Sequence, residues 1–251
     1  MMPNRPATAL LLALLTGCAT TGGTPGVSAL GQPAGQEAPE VERAASDDVE
    51  AALGQAMRQL DAGQFAQAGA AFEAFIAGNR GNPNVPLALY NGAVAWEKAS
   101  QPEKASTLRE QLLARFPGSK EAEHAMPTLA AQRARQGKKE EAIKLYREFL
   151  EKFPDSPLRC SVTYNLGATL DEVRKPVDAA QAYLTFGSDP GCASADANAA
   201  ARLLYRAGQQ LERAGMMPDA KKAYLACAEV GGVTDLVGKG QQVEARKRSR
   251  R

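Results

Sequence analysis

Small residues recur at a nearly constant spacing along most of the chain. Five anchor alanines are separated by 37, 37, 37 and 41 residues: Ala68, Ala105, Ala142, Ala179 and Ala220. Another small residue stands twelve positions before each anchor: Ala56, Ala93, Ala130, Gly167 and Gly208. The position four residues after the anchor is aromatic in all units but one: Phe72, Arg109, Tyr146, Tyr183 and Tyr224. The same classes of residue thus recur at the same offsets from every anchor. This agreement indicates a repeat protein whose units stack on one another.

The pattern of each unit predicts two helices of about 13–16 residues. They are joined by a short turn that contains a glycine or a proline or lies next to one. The predicted turns are residues 61–64, 99–102, 136–139, 173–176 and 214–217. Small residues allow the two helices of one unit to approach closely. The residue four positions after the anchor shares a face of the second helix with it and fills the gap to the next unit. The pattern therefore predicts an all-α chain.

The composition agrees with helices and excludes several classes of function. The 251 residues include 48 alanines, and alanine is the best helix former. A formal net charge of +2 and an aromatic content of 6% argue against a nucleic-acid-binding surface. His124 is the only histidine, which removes most metal sites and most schemes in which histidine activates a nucleophile.

Motifs for catalysis are also missing from the sequence. The chain has no C-x-x-C pair, no Gly-Lys phosphate loop and no G-x-S-x-G elbow. Paired carboxylates such as Asp171 and Glu172 fall at a predicted helix end, where we interpret them as solvated. We therefore predict a non-enzymatic protein with no catalytic residue, no metal site, no cofactor and no small-molecule substrate.

The first residues have the pattern of a bacterial targeting signal. Arg5 precedes an apolar run from Ala7 to Leu15, which is too short to span a bilayer. The following Leu15-Thr16-Gly17-Cys18 resembles the lipobox of bacterial lipoproteins. The resemblance implies cleavage of residues 1–17, diacylglycerol on the Cys18 sulfur and an acyl chain on its amine. An ordinary secretory signal with a chance cysteine is the alternative.

The segment after the cysteine predicts a tether. Residues 18–45 are rich in Gly, Pro, Thr and Ser and poor in large apolar side chains, so they cannot bury enough surface to fold. By analogy with lipoproteins, Ala19 after the lipidated cysteine favours the outer membrane over the inner one. We expect the protein to be anchored there and to face the periplasm.

The repeats themselves resemble tetratricopeptide (TPR) repeats. Residues 140–150, followed by Phe153-Pro154-Asp155-Ser156, are similar to a second TPR helix, and residues 164–167 (Tyr-Asn-Leu-Gly) to the first helix of the next repeat. The chain is similar to TPR lipoproteins and periplasmic TPR proteins of the Gram-negative envelope, such as the Tol-associated coordinator and those of outer-membrane assembly and motility machines. The resemblance implies a TPR-type α-solenoid of about five hairpins over residues 46–232, forming a right-handed superhelix. Pro127 should kink the first helix of repeat three, so the pattern determines the packing between repeats two and three least.

TPR superhelices bind peptides on the concave face, and the resemblance extends to residues there. Tyr90, Tyr164 and Tyr205 share one column and could stack on a partner segment; half-buried packing residues are the alternative. Asn91 and Asn165 could fix a peptide backbone. With Asn165, Arg202 and Arg206 match part of the TPR carboxylate clamp; a solvated arginine pair is the alternative. The candidate partner-binding residues are Tyr90, Asn91, Tyr164, Asn165, Arg202, Tyr205 and Arg206.

Three cysteines remain besides Cys18. The periplasm is an oxidising compartment, in which cysteines can form disulfides. Cys160 begins the first helix of repeat four and Cys192 follows the second, and these ends meet in an antiparallel hairpin. We predict a disulfide between Cys160 and Cys192, with two free loop cysteines as the alternative. Cys227 takes a place that is filled elsewhere by Leu or Phe and predicts a small buried side chain.

These features predict a lipid-anchored, non-catalytic scaffold that binds envelope proteins and contacts the membrane through its anchor. An assembly chaperone or pilotin for an outer-membrane pore or motility complex is the alternative. Residues 233–251 predict a short helix or a disordered basic tail. That tail is solvated or contacts anionic lipid, polysaccharide or an acidic partner.

Overall fold

The computed structural model describes residues 40–250, and the side chains of residues 47–250. The predicted signal peptide, Cys18 and most of the predicted tether lie outside the described residues. The described helices are α1 (Glu40–Asp61), α2 (Phe65–Gly78), α3 (Val85–Lys98), α4 (Pro102–Arg115), α5 (Lys120–Arg135), α6 (Lys139–Lys152), α7 (Arg159–Glu172), α8 (Pro176–Ser188), α9 (Pro190–Ala195), α10 (Ala197–Arg213), α11 (Met217–Glu229) and α12 (Leu236–Ser249). None of these helices combines the length and the apolar character that a membrane crossing requires.

The helices form five consecutive hairpins, which confirms the all-α repeat fold. The pairs are α1 with α2, α3 with α4, α5 with α6, α7 with α8, and α10 with α11. The short α9 lies between the fourth and fifth hairpins and accounts for the longer last step of the repeat. Helix α1 begins at Glu40, six residues before the predicted start of the repeat domain at residue 46. The C-terminal segment is a helix, α12, and not a disordered tail.

Each hairpin turns at one residue with a left-handed backbone conformation. These residues are Gly63, Ser100, Gly137, Arg174 and Gly215, with φ between 57° and 81°, and they follow the spacing of the anchors. Glycine adopts this conformation without steric cost, whereas Ser100 and Arg174 do so at some cost in backbone strain. The predicted turns are therefore correct, and the left-handed residue sits at the same place in every unit.

The columns identified in the sequence form the core. All five anchor alanines are buried, and so are the five residues that follow them by four positions. A Cβ atom on Gly167 would lie 2.5 Å from Cε1 of Tyr183, and one on Gly208 would lie 2.5 Å from Cε1 of Tyr224. The two helices of these hairpins therefore approach each other closely at a small residue, as predicted, and the ring that faces this residue belongs to the same hairpin.

A polar seam divides the apolar core into two clusters. One cluster runs from Leu53 to Ala125 and the other from Met126 to Ala245. At the boundary, Arg109 occupies the column that is aromatic elsewhere, and it is almost fully buried. Its guanidinium pairs with Glu97 and donates to Oε1 of Gln132 at 3.5 Å. Burial of a charge requires such partners, so the aromatic contact between units is replaced here by a polar network.

Helix α5 lies at this seam and contains Pro127. The helix runs from Lys120 to Arg135 through the proline, so Pro127 does not end it. Ser119 caps its first turn by accepting a bond of 3.1 Å from the N–H of Ala122. The Arg109 network joins repeats two and three next to this proline, through the bond to Gln132 of α5.

Candidate functional site

A groove lies between the first helices of repeats four and five. It has a volume of about 770 Å³ and is lined mainly by side chains of α7 and α10, together with Phe186 of α8, Asp196 before α10 and Gln241 of α12. Five of the seven predicted partner-binding residues line it: Tyr164, Asn165, Arg202, Tyr205 and Arg206. The hairpin stacking brings these residues together because α7 and α10 are the corresponding helices of consecutive units.

The other two predicted residues do not contribute to this groove. Tyr90 and Asn91 belong to α3, two repeats away. The half-buried Tyr90 ring packs against the apolar cluster that runs from Leu53 to Ala125, and its centroid lies 6.2 Å from the ring of His124. Tyr90 therefore contributes to the packing of this part of the body, where His124 of α5 is its neighbour.

The two tyrosines of the groove differ in exposure. Tyr164 keeps 46% of its surface exposed and presents its ring to solvent. Tyr205 is half-buried, and its ring centroid lies 5.6 Å from that of Tyr224 on α11. Tyr164 is therefore the aromatic side chain that a partner segment can reach, whereas Tyr205 mainly joins α10 to α11.

Two of the three arginines that line the groove form ion pairs within the chain. Arg206 places Nε 2.6 Å from Oδ2 of Asp171, and Nη1 of Arg202 bonds to Oδ2 of Asp235. The N–H of Gly238, with help from the Arg202 guanidinium, holds the pKa of Asp235 below its usual value. Arg202 and Arg206 keep 41% and 53% of their side chains exposed in these pairs, so the partial clamp and the solvated pair both stay predictions. The exposed surfaces of both arginines still line the groove.

Asp171 connects the fourth and fifth repeats and is not a solvated helix-end residue. Its side chain is only 8% exposed. Besides Arg206, it accepts bonds from the Tyr183 hydroxyl at 2.9 Å and from Nε2 of Gln210 at 2.6 Å. Three donors from two repeats satisfy this buried carboxylate, and two of them, on Arg206 and Gln210, belong to residues that line the groove. Its sequence neighbour Glu172 pairs with Lys139 instead.

Asp171 is one member of a repeated pairing that the sequence reasoning missed. In three hairpins an acid of the first helix accepts from a residue twelve positions later on the second: Glu97 from Arg109, Asp171 from Tyr183, and Glu212 from Tyr224. Burial and the bond to Glu212 raise the pKa of Tyr224 to about 12, and burial with the Asp171 bond raises that of Tyr183. Both hydroxyls therefore stay protonated donors at neutral pH. In the sequence, this pairing could have been found from an acidic residue that stands eight positions before the anchor alanine.

The predicted disulfide is present beside the groove. Cys160 and Cys192 have an S–S distance of 2.05 Å and a Cα–Cα distance of 5.4 Å. Asp189 joins the same two helices, because it accepts from the Cys192 N–H at 3.0 Å and pairs with Arg159 at 2.8 Å. Ser161, next to Cys160, lines the groove, and the disulfide therefore holds one end of its wall.

Cys227 is buried, as predicted. Its sulfur donates to the carbonyl of Ala201 at 3.1 Å. Burial raises the pKa of the thiol to about 11, so it stays protonated at neutral pH. The thiolate is the reactive form of cysteine, and Cys227 is therefore an inert packing residue.

Comparison with known proteins agrees with this architecture. Residues 129–156 match the tetratricopeptide repeat family, over the end of α5 and all of α6. No match is found among curated protein sequences. A crystal structure of a MamA protein superposes with a TM-score of 0.54 and 15% identity, covering 79% of this chain and 96% of that one.

Two further solved structures are similar in the same way. A MamA protein designated AMB-1 has a TM-score of 0.52 and 17% identity, covering 76% of this chain and 96% of that one. The pilF protein of Pseudomonas aeruginosa has a TM-score of 0.47 and 17% identity, covering 82% and 88%. At these identities the MamA structures show the fold alone. Together with the matched repeat and the five hairpins, they establish a TPR-type solenoid in the described part of the chain.

Proposed function

We propose that this protein is a lipid-anchored, non-catalytic scaffold that binds protein partners of a Gram-negative envelope machine. TPR folds are typically protein-interaction scaffolds, which gives the general part of the proposal. The groove between α7 and α10 carries the specific part, because it gathers an exposed aromatic ring, amides and guanidinium groups on one concave surface. Such a mixture suits an extended polypeptide, whose backbone needs hydrogen bonds and whose side chains need apolar and charged contacts.

The groove favours a partner segment that carries carboxylates. Arg202, Arg206 and Arg213 line it, whereas Asp196 is the acid among its lining residues. Arg206 keeps 53% of its side chain exposed although Nε is bonded to Asp171. The guanidinium of arginine can bind a carboxylate with two parallel bonds, which gives orientation as well as attraction. The bonds to Asp171 and Asp235 hold two of the arginines in place before a partner arrives.

The membrane part of the proposal depends on Cys18. The lipobox-like Leu15-Thr16-Gly17-Cys18 and the apolar run before it support acylation of this cysteine. We expect labelled palmitate to be incorporated into the wild-type chain in cells, and no label in the Cys18→Ser variant. A labelled Cys18→Ser variant, or an unlabelled wild type that is well expressed, would contradict the anchor.

Site-specific photo-crosslinking in cells tests the groove. A benzophenone amino acid replaces Tyr164 in the full chain, and the control replaces Leu225, which is 50% exposed on α11 and outside the groove. We expect Tyr164 to give a discrete adduct with an envelope protein that Leu225 does not give. A partner that also co-purifies without crosslinking supports the scaffold. An outer-membrane pore subunit that is captured only by crosslinking indicates the assembly chaperone. Identical adducts from both positions would contradict a binding groove.

A further inference from the structure

Helix α12 is fixed to the body by one face. Gly238 and Ala245 are buried on that face, and the Cβ of a larger residue at 238 would lie 2.7 Å from Cγ1 of Val233. Gln242 donates Nε2 to the carbonyl of Cys227 at 3.1 Å and to that of Val230 at 2.8 Å. Arg248 places Nη1 2.7 Å from Oε2 of Glu212. The helix is therefore a docked end of the solenoid with a defined orientation.

The opposite face of α12 combines apolar and cationic residues. Leu236 and Val243, seven positions apart and therefore on one side of the helix, are 87% and 53% exposed. The exposed Lys239, Lys247 and Arg250 lie on the same side, by their spacing from these two residues. We call these five residues the outer face of α12.

The charge of this outer face is positive. Among the described residues, Lys239 and Arg250 form no ion pair, and Lys247 has only a contact of 3.9 Å with Glu244. Glu244 is also bonded to Arg248, which turns toward the body. Glu244 therefore offsets little of the positive charge that the outer face presents to solvent.

Such a face is unusual at the end of a solenoid. Terminal units of repeat proteins ordinarily present a polar outer surface, because no further repeat covers them. Leu236 and Val243 instead remain open to water at that end. An exposed apolar pair beside Lys and Arg offers both contacts that an anionic membrane surface can take, namely apolar burial and pairing of cations with phosphates.

We propose that the outer face of α12 docks on an anionic lipid surface. Leu236 and Val243 enter the boundary between headgroups and acyl chains, while the three cations contact lipid phosphates. The long stems of Lys and Arg allow their charges to stay at headgroup depth while the apolar residues go deeper. A second copy of the chain fits less well, because two such faces would bring like charges together. The inference requires neither the groove nor the lipid on Cys18.

Vesicle co-sedimentation tests this inference with the full chain. Every preparation carries Cys18→Ser, so that no covalent lipid contributes, and the N-terminal segment is common to all. Vesicles of phosphatidylcholine alone are compared with vesicles that also contain phosphatidylglycerol. We expect binding to the anionic vesicles to exceed binding to the neutral ones by roughly tenfold or more, and the excess to fall as salt is raised.

Two variants of α12 have matched controls elsewhere on the body. The first variant reverses the three positive charges of the outer face, and we expect it to lose the preference for anionic vesicles: Lys239→Glu/Lys247→Glu/Arg250→Glu. The control Lys120→Glu/Lys138→Glu/Lys144→Glu makes the same change in net charge on α5, α6 and the turn between them, and should bind like the parent. Leu236→Ser/Val243→Ser is expected to weaken binding several-fold, whereas Val177→Ser/Leu225→Ser, at exposed apolar positions of α8 and α11, should not.

Circular dichroism confirms that each variant keeps its helices before binding is compared. Equal sedimentation of the α12 charge variant and its control with anionic vesicles would overturn the proposal. The proposal would also be overturned if Leu236→Ser/Val243→Ser bound anionic vesicles as well as the parent does. Absence of vesicle binding, with a dimeric mass that the serine variant loses, would show that a second copy covers α12 and would also overturn it. Absence of vesicle binding by a monomer would point to an acidic protein and reject lipid docking.

Discussion

Loss of the Cys160–Cys192 disulfide lowers the free energy of unfolding by about 3.5 kcal/mol. The bond closes a loop of 32 residues that contains the hairpin of α7 and α8. In the chain-entropy model, a cross-link of this span restricts the unfolded chain by about that amount. We expect urea unfolding of the wild type to shift to clearly lower denaturant when dithiothreitol is present.

The double variant Cys160→Ala/Cys192→Ala is the control for this result. It should unfold near the midpoint of the reduced wild type, and dithiothreitol should not move its transition. Cys227 stays in both proteins and is buried, so it contributes equally to each. A wild-type midpoint that is the same with and without reductant would contradict a stabilising disulfide.

Replacement of Asp171 with alanine is expected to cost about 3 kcal/mol. The substitution leaves the Tyr183 hydroxyl and the buried Gln210 amide without their acceptor and frees Arg206 from its ion pair. Buried donors that lose their acceptor cost about 1–3 kcal/mol each, and the exposed Arg206 adds less. The measurement is the change in the free energy of unfolding by urea titration.

Asp178→Ala is the matched control for Asp171→Ala. Asp178 lies on α8 of the same repeat, and its ion pair with Arg147 joins two side chains that are about half exposed. Exposed pairs of this kind contribute at most about 1 kcal/mol. Equal destabilisation by the two substitutions would contradict the role of Asp171 as a buried connection between repeats.

Much of the repeat body could be predicted because its core depends on local spacing. The anchor alanines and the residues four positions after them fall on the same helix face in every unit, and all are buried. The turns follow from glycine and proline beside a break in that pattern. The Cys160–Cys192 pairing followed because an antiparallel hairpin brings its two ends together. These inferences needed only the geometry of one helix pair.

The partners of the charged residues could not be predicted in the same way. Arg202 bonds to Asp235, and Arg206 to Asp171, across distances in sequence that the repeat pattern does not constrain. Helix α9 adds a fold element in a connection where the spacing alone showed only four extra residues. The basic C-terminal segment is helical because Gly238 and Ala245 pack on the body, which a count of its charges does not reveal.

The affinity of the groove for its partner tests the central claim most directly. Once crosslinking at Tyr164 has identified the partner segment, its dissociation constant is measured with the wild-type body and with Tyr164→Ala/Arg213→Glu. Both side chains line the groove, and neither forms a hydrogen bond or ion pair within the described part of the chain. We predict at least roughly tenfold weaker binding for this variant, from the loss of one aromatic contact and one charge contact. The control Leu225→Ala/Lys222→Glu on α11 should bind like the wild type, and equal affinity of both variants would contradict the groove.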